Sequence, residues 1–164
     1  DGGPCQYGVE STIVDGRSWP VKILRPGAIP VEDISDVLLD FSSTMDAHSD
    51  LSLCPKTGSD GQGTVVCPGQ STAHYAPKKP LRLNATSLES NEGLLAFGPP
   101  LLGANPCFQL SLEKNLHQAA AYLFAGLHYL DQSDCQRIAV MPIPTEGIGC
   151  AIADRLSRAC VVVA

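Results

Sequence analysis

Residues 107–143 read CFQLSLEKNLHQAAAYLFAGLHYLDQSDCQRIAVMPI, and this stretch decides the fold. Its two ends, CFQLSL (107–112) and RIAVMPI (137–143), are apolar runs of strand length. Between them Leu116, Ala119, Ala120, Leu123, Phe124, Leu127 and Leu130 recur at intervals of three and four. That spacing draws one apolar stripe along a helix from Asn115 to about Asp131. Further on, a second helix is expected over Gly149–Ala159, with Ile152, Leu156 and Ala159 facing inward. Upstream, KPLRLNA (79–85) and GLLAFG (93–98) add two more strand-length runs. Strands alternating with helices argue for a mostly parallel sheet flanked by helices. Residues 79–164 therefore read as a small Rossmann-like α/β unit.

Two stretches precede it. Residues 1–40 hold the strand-like runs GVESTIVD (8–15) and VKILRPG (21–27), with turns at Asp15-Gly16 and Pro26-Gly27. A short amphipathic helix follows in VEDISDVLLD (31–40), with Ile34, Val37 and Leu38 on one side. Residues 41–78 have no sustained period, and FSSTMDAHSDLSLCPKTGSDGQG (41–63) is rich in Ser, Asp and Gly. Loops beyond ~12–15 residues are unusual inside a compact domain. This segment reads as an interdomain linker with a disordered first half.

Composition excludes several classes. At 164 residues the chain suits one domain, or a small domain with an arm. A net charge of −6 and a pI near 5.0 argue against a strong nonspecific grip on nucleic acid, though not against a local basic patch. The seven cysteines form no C-x-x-C pair, and none has a His partner at ligand spacing. They read as reduced, mostly buried thiols of a cytoplasmic protein, with no metal site. No apolar run approaches the ~20 residues of a membrane span. The chain opens with Asp1 in DGGPC, without Met or signal peptide, so a fragment or processed product is expected.

Candidate chemistry sits in four places. In GVESTIVD, alternation puts Val9, Ser11 and Ile13 on one face and Glu10, Thr12 and Val14 on the other. Small hydroxyls there can bond a ligand, but from physics alone a half-buried strand is the stronger reading. In KILRPG, Arg25 stands at a strand end before a Pro-Gly turn, where its guanidinium fork can meet a phosphate or carboxylate. A solvated surface Arg is the alternative. Arg25 lies fourteen residues after Ser11, so adjacent strands could bring both to one wall. In CPGQSTAHYAP, His74 and Tyr75 could close over a nucleotide, or merely anchor the linker. Gly147 and Gly149 leave the G-x-G-x-x-G pattern incomplete, and capping or tight strand–helix packing explains them better than an anion site. His117 and His128 share a helix face without a third ligand, as solvated or rim histidines do.

Taken together, these segments resemble the Sua–YciO–YrdC family, specifically its two-domain threonylcarbamoyl-AMP synthases. DGGPCQYGVESTIVD followed by ILRPGAI resembles the end of the YrdC-type catalytic domain. PGQSTAHYAP resembles the family's interdomain linker. NLHQAAAYLFAGLHYLD and IAVMPIPTEGIGCAIADRLSRA resemble the accessory C-terminal domain. There are departures: Cys67 replaces the usual linker Ser, Gln70 the usual Met, and the insertion around 41–63 matches nothing. The family's upstream Lys, Arg and Ser-x-Asn segment are not in this chain.

The resemblance implies a YrdC-type remnant over 1–40, a linker over 41–78 and an accessory domain over 79–164. It implies an enzyme that joins L-threonine, bicarbonate and ATP, with Mg²⁺, into threonylcarbamoyl-AMP and pyrophosphate. A partner transferase then modifies adenosine 37 of tRNA, and a weak RNA contact would run through the absent domain. Ser11 would contact threonine, Arg25 the ATP phosphates or adenylate, and His74 and Tyr75 would form a lid. These residues alone are expected to be inactive. Residues 1–29, cut from a larger sheet, are expected to be disordered, or to pair with another chain or the C-terminal unit. Two other classes are a ligand-binding or docking module built on 79–164, and a metal-binding protein using the cysteines.

Overall fold

The structure is a computed structural model that describes residues 5–17, 19, 21–42 and 76–160. Four parallel strands form its centre: β3 (Leu81–Arg82), β4 (Glu92–Phe97), β5 (Cys107–Ser111) and β6 (Arg137–Val140), in the order β3-β6-β4-β5. A separate antiparallel ribbon joins β1 (Ile13–Asp15) to β2 (Lys22–Arg25). The helices are α1 (Val31–Ser42), α2 (Leu116–Gln132) and α3 (Gly149–Ala159). The expected small parallel sheet flanked by helices is present.

Period-two alternation sorts the sheet's side chains. Leu95, Phe97, Ile138 and Val140 share a core with Ala120, Leu123 and Leu127 of α2 and Ile152 and Leu156 of α3. Leu94, Ala96 and Ala139 form a second cluster, covered by Leu88, Leu101 and Ala104 from the connecting segments. Both faces are apolar because both are covered, which is why GLLAF reads as a continuous run. Gly126 lets α2 sit close to the sheet, since a Cβ there would lie 2.6 Å from Leu95 and 2.7 Å from Phe108. The Asn115 side chain caps α2 by accepting from the Gln118 N–H at 3.0 Å. Lys79 Nζ donates to the Leu130 and Ser133 carbonyls at the helix's other end.

Of the alternatives for residues 1–29, the described ones are ordered and dock on the C-terminal unit. Val9 is buried in the main core, and Tyr7 meets His117 edge-on at 6.0 Å. A Cβ on Gly8 would fall 2.2 Å from the Ala120 carbonyl oxygen, so this segment lies against the backbone of α2. β1 is shorter than expected: Gly8 and Val9 pack on α2 and the core, and Glu10, Ser11 and Thr12 bond to Ala28, Arg25 and Ile29 instead of extending the ladder.

Helix α1 departs from its expected face. Ile34 and Leu38 are half-buried, but Val37 is 69% and Leu39 52% exposed. The thiols also differ from expectation: Cys135 is buried, Cys107, Cys150 and Cys160 are half-buried, and Cys5 is exposed. The linker reading of 41–78, its disordered first half, Cys54, Cys67, His74 and Tyr75 lie wholly or mostly outside the described residues. Among the described residues no helix is long and apolar enough to cross a membrane.

Candidate functional site

The ribbon builds the site. Its register sets Ile13 opposite Arg25, with an irregularity between Ile13 and Val14. Asp15 closes the turn by accepting from Arg17 N–H, Nε and Nη2 at 3.1, 2.9 and 2.8 Å. These bonds from Arg17 hold the Asp15 carboxyl well below the usual carboxylate range. At the other end, Ala28 N–H donates to the Glu10 carbonyl at 2.9 Å. Thr12 Oγ1 donates to the Ile29 carbonyl at 2.6 Å and accepts its N–H at 3.2 Å. Gly27 is required at this crossing: a Cβ would lie 2.3 Å from the Glu10 oxygen and the Ser11–Thr12 peptide.

Ser11 and Arg25 come together as their spacing suggested. Arg25 Nη2 donates to the Ser11 carbonyl at 2.8 Å and to Ser11 Oγ at 3.3 Å, and Nε reaches the same carbonyl at 3.2 Å. Arg25 is only 8% exposed, which removes the solvated-surface alternative, whereas Ser11 is exposed. A delocalised cation is therefore fixed beside an accessible hydroxyl. Such a pair suits an anionic substrate that also offers a polar group to a small side chain.

Behind this pair stands a second guanidinium that sequence reasoning missed. Arg155, on α3, donates from Nε to Glu10 Oε2 at 2.8 Å, and its Nη2 lies 2.7 Å from the same oxygen. Nη2 also reaches the Pro26 carbonyl at 3.2 Å, and Nη1 pairs with Asp154. One side chain thus holds the residue before Ser11 and the residue after Arg25. Asp154 is held in turn by Arg158, whose Nε and Nη2 donate to its two oxygens, each at 3.0 Å. Burial raises the Glu10 carboxyl, but its own backbone hydrogen bond and Arg155 outweigh that and hold it below its ordinary value. The only part of this cluster legible in the chain is the i,i+4 spacing of Asp154 and Arg158. Arg155 and Glu10 are 145 positions apart.

The glycines before α3 serve packing. Gly147 adopts φ +54°, and its N–H donates to Glu32 Oε1 at 3.3 Å. A Cβ on Gly149 would fall 2.0 Å from the Pro144 oxygen. The Gly149, Cys150 and Ala151 amides bond to Glu146, Gly147 and Ile148 carbonyls at 2.9, 3.2 and 3.1 Å. Burial, then Glu32 and Asp154, push the Cys150 thiol upward, away from thiolate chemistry. His128 is exposed and meets Gln132 at 2.8 Å. Among the described residues, no three His, Cys, Asp or Glu side chains cluster as metal ligands.

Comparison with known proteins places the chain. The chain is 27% identical to the threonylcarbamoyl-AMP synthase of Pyrococcus abyssi, over 97% of its own length and 48% of the relative's. It is 29% identical to the Bacillus subtilis protein of the same name, over 97% of this chain and 47% of that one. It thus spans about half the length of the curated relatives it matches. The crystal structure of P. abyssi Sua5 complexed with L-threonine superposes with a TM-score of 0.76 at 25% identity, covering 98% of this chain and 48% of that one. A variant of that archaeal protein, with a His and a Tyr replaced by Ala, shares the fold at a TM-score of 0.70 and 21% identity, over 94% of this chain and 46% of that one. The family described as "Threonylcarbamoyl-AMP synthase, C-terminal domain" matches residues 29–161. That match takes in well over half of the chain, which therefore belongs to this family.

Proposed function

We propose that this chain supplies the C-terminal part of a threonylcarbamoyl-AMP synthase, an enzyme joining L-threonine, bicarbonate and ATP into threonylcarbamoyl-AMP with release of pyrophosphate. The observation that carries the reading is the Arg25 guanidinium docked on Ser11 at 2.8 Å in a buried setting. The relatives' name and the archaeal protein's threonine complex support it. Ser11 is assigned to the threonine, and Arg25 to the phosphates or adenylate, where a fixed cation stabilises developing charge. His74 and Tyr75 are assigned to a lid over that site.

Because the chain spans about half of its relatives, complete turnover belongs to the longer polypeptide and not to these residues alone. The product would pass in the cytoplasm to a transferase acting on tRNA. The Mg²⁺ that the resemblance implies would be held largely by the ATP phosphates; among the described residues no three His, Cys, Asp or Glu side chains cluster, and Glu10, next to Ser11, is occupied by Arg155.

The test is pyrophosphate release by the polypeptide carrying these residues after a catalytic half of the family's length. Release should require threonine, bicarbonate and ATP together. Arg25→Ala should cut kcat/KM by about a hundredfold, about 2.7 kcal/mol of transition-state stabilisation. Ser11→Ala should raise the KM for threonine more than it lowers kcat. Unchanged kinetics in both variants would refute the assignment.

A further inference from the structure

All four parallel strands end at one edge of the sheet, and a cleft of about 540 Å³ opens there. Each strand contributes to its wall. Thr86 follows β3, Phe97 ends β4 with Leu101 beyond it, Lys114 follows β5, and Met141 and Ile143 follow β6. Ligands of open parallel sheets bind outside the carboxyl ends of the strands, and pockets of roughly 300–1,000 Å³ hold small molecules. None of the lining residues belongs to the β1–β2 ribbon, so this cleft is separate from Ser11 and Arg25.

The lining is apolar except for Thr86 and Lys114. Lys114 makes no hydrogen bond or ion pair with any described residue, although ion pairs tie down most other cations of this unit. Its backbone holds φ +58°, a conformation that costs a non-glycine residue about 1 kcal/mol or more. Its stem lies across Gly98, whose φ is +88° and where a Cβ would be 2.6 Å from Lys114 Cε. That junction is built: Gly98 N–H donates to the Ser111 carbonyl at 2.7 Å, and Gln109 Nε2 to the Gly98 carbonyl at 3.1 Å. Ser111 Oγ accepts the Asn115 N–H at 3.0 Å. The backbone that carries Lys114, an exposed residue, is thus held at the rim of the apolar cleft, and its side chain is the cleft's only cation among the described residues.

We infer that this cleft is a second binding site, taking an organic anion with one acidic group on an apolar or aromatic body. The acidic group pairs with Lys114, and the body lies along Leu101, Met141 and Ile143. A neutral body of the same shape binds by burial alone, and a polyanion gains nothing from the single charge.

The test uses the chain as it is, with anilinonaphthalene sulfonate as the anionic probe and phenylnaphthylamine as its uncharged twin. Fluorescence titration should show one saturable site for both, with the sulfonate bound about fivefold more tightly at low salt. Lys114→Met should erase that difference and leave the neutral probe unaffected. Thr86→Trp, at an exposed lining position, should block both probes with an unchanged urea midpoint. Non-saturable binding, equal affinity for the two probes in the unaltered chain, or indifference to Thr86→Trp would each overturn the inference. Since no synthase assay enters, the result is independent of the activity proposed above.

Discussion

Glu10 and Arg155 show how single residues hold this molecule together. Arg155 is buried, with a side chain only 4% exposed, and it faces one carboxylate on the ribbon and one on its own helix. Removing one partner of such a pair leaves the other desolvated without compensation. Arg155→Met should therefore cost about 2–4 kcal/mol by urea unfolding, with Arg155→Lys losing less because it keeps the charge but not the fork. Equal losses in the two variants would show that volume, not the ion pair, matters at this position. Glu10 and a second paired carboxylate, Glu92, set an acid limit. Arg82 holds the Glu92 carboxyl below its ordinary value of 4.5, against the opposing effect of burial. Arg155 and the backbone do the same for Glu10, again against burial. The folded chain thus binds fewer protons than the unfolded one just below pH 4.5, so stability rises with pH there. This contribution is complete above that ordinary value and is lost as pH falls through the lowered folded values. Urea midpoints should drop steeply between about pH 5 and pH 3, and Glu92→Gln should make the slope shallower. A slope unaltered by that substitution would place the acid sensitivity elsewhere.

At the scale of elements, the seam between the 5–12 segment and α2 depends on a missing side chain. The Ala120 carbonyl and the Ala121 Cα would lie 2.2 and 2.6 Å from a Cβ on Gly8, and both are helix backbone that cannot rotate away. Gly8→Ala should destabilise the chain by about 1–3 kcal/mol, although it removes backbone entropy from the unfolded state. A neutral or stabilising result would mean that the segment does not sit on α2 in solution. Regular elements of this kind were legible where period and burial agree. The run from Leu116 to Leu130 announces α2, and Ile152, Leu156 and Ala159 of α3 are buried as their spacing implied. Helix α1 was legible as a helix but not in its packing, because an amphipathic pattern says which face is apolar and nothing about whether a partner covers it. Val37 has the right spacing and remains exposed. The β1–β2 ribbon was legible through its turns, yet β1 is only three residues long because tertiary contacts of 8–12 override strand propensity.

For the whole molecule, the question is whether ribbon and sheet unfold as one. Within the candidate site, the Ser11–Arg25 contact was legible from a fourteen-residue spacing between two runs joined by turns. The clamp behind it was not, since no local pattern links Glu10 or Pro26 to Arg155. Only the folded topology brings α3 under the ribbon. Its consequence is energetic coupling: Val9 sits in the sheet's own core, and Arg155 holds both sides of the ribbon close to its site residues. Segments that share a core and a buried ion pair open together. Native-state hydrogen exchange should therefore give the amides of Ile13–Asp15 and Lys22–Arg25 the same opening free energy as those of α3. In Arg155→Met the ribbon amides should exchange about a hundredfold faster than those of β4 and β6, because about 2.7 kcal/mol of local opening separates them. An unaltered chain whose ribbon already opens far more readily than α3 would mean that the C-terminal unit does not hold Ser11 and Arg25 in place. The pair would then have to be fixed from somewhere other than the C-terminal unit.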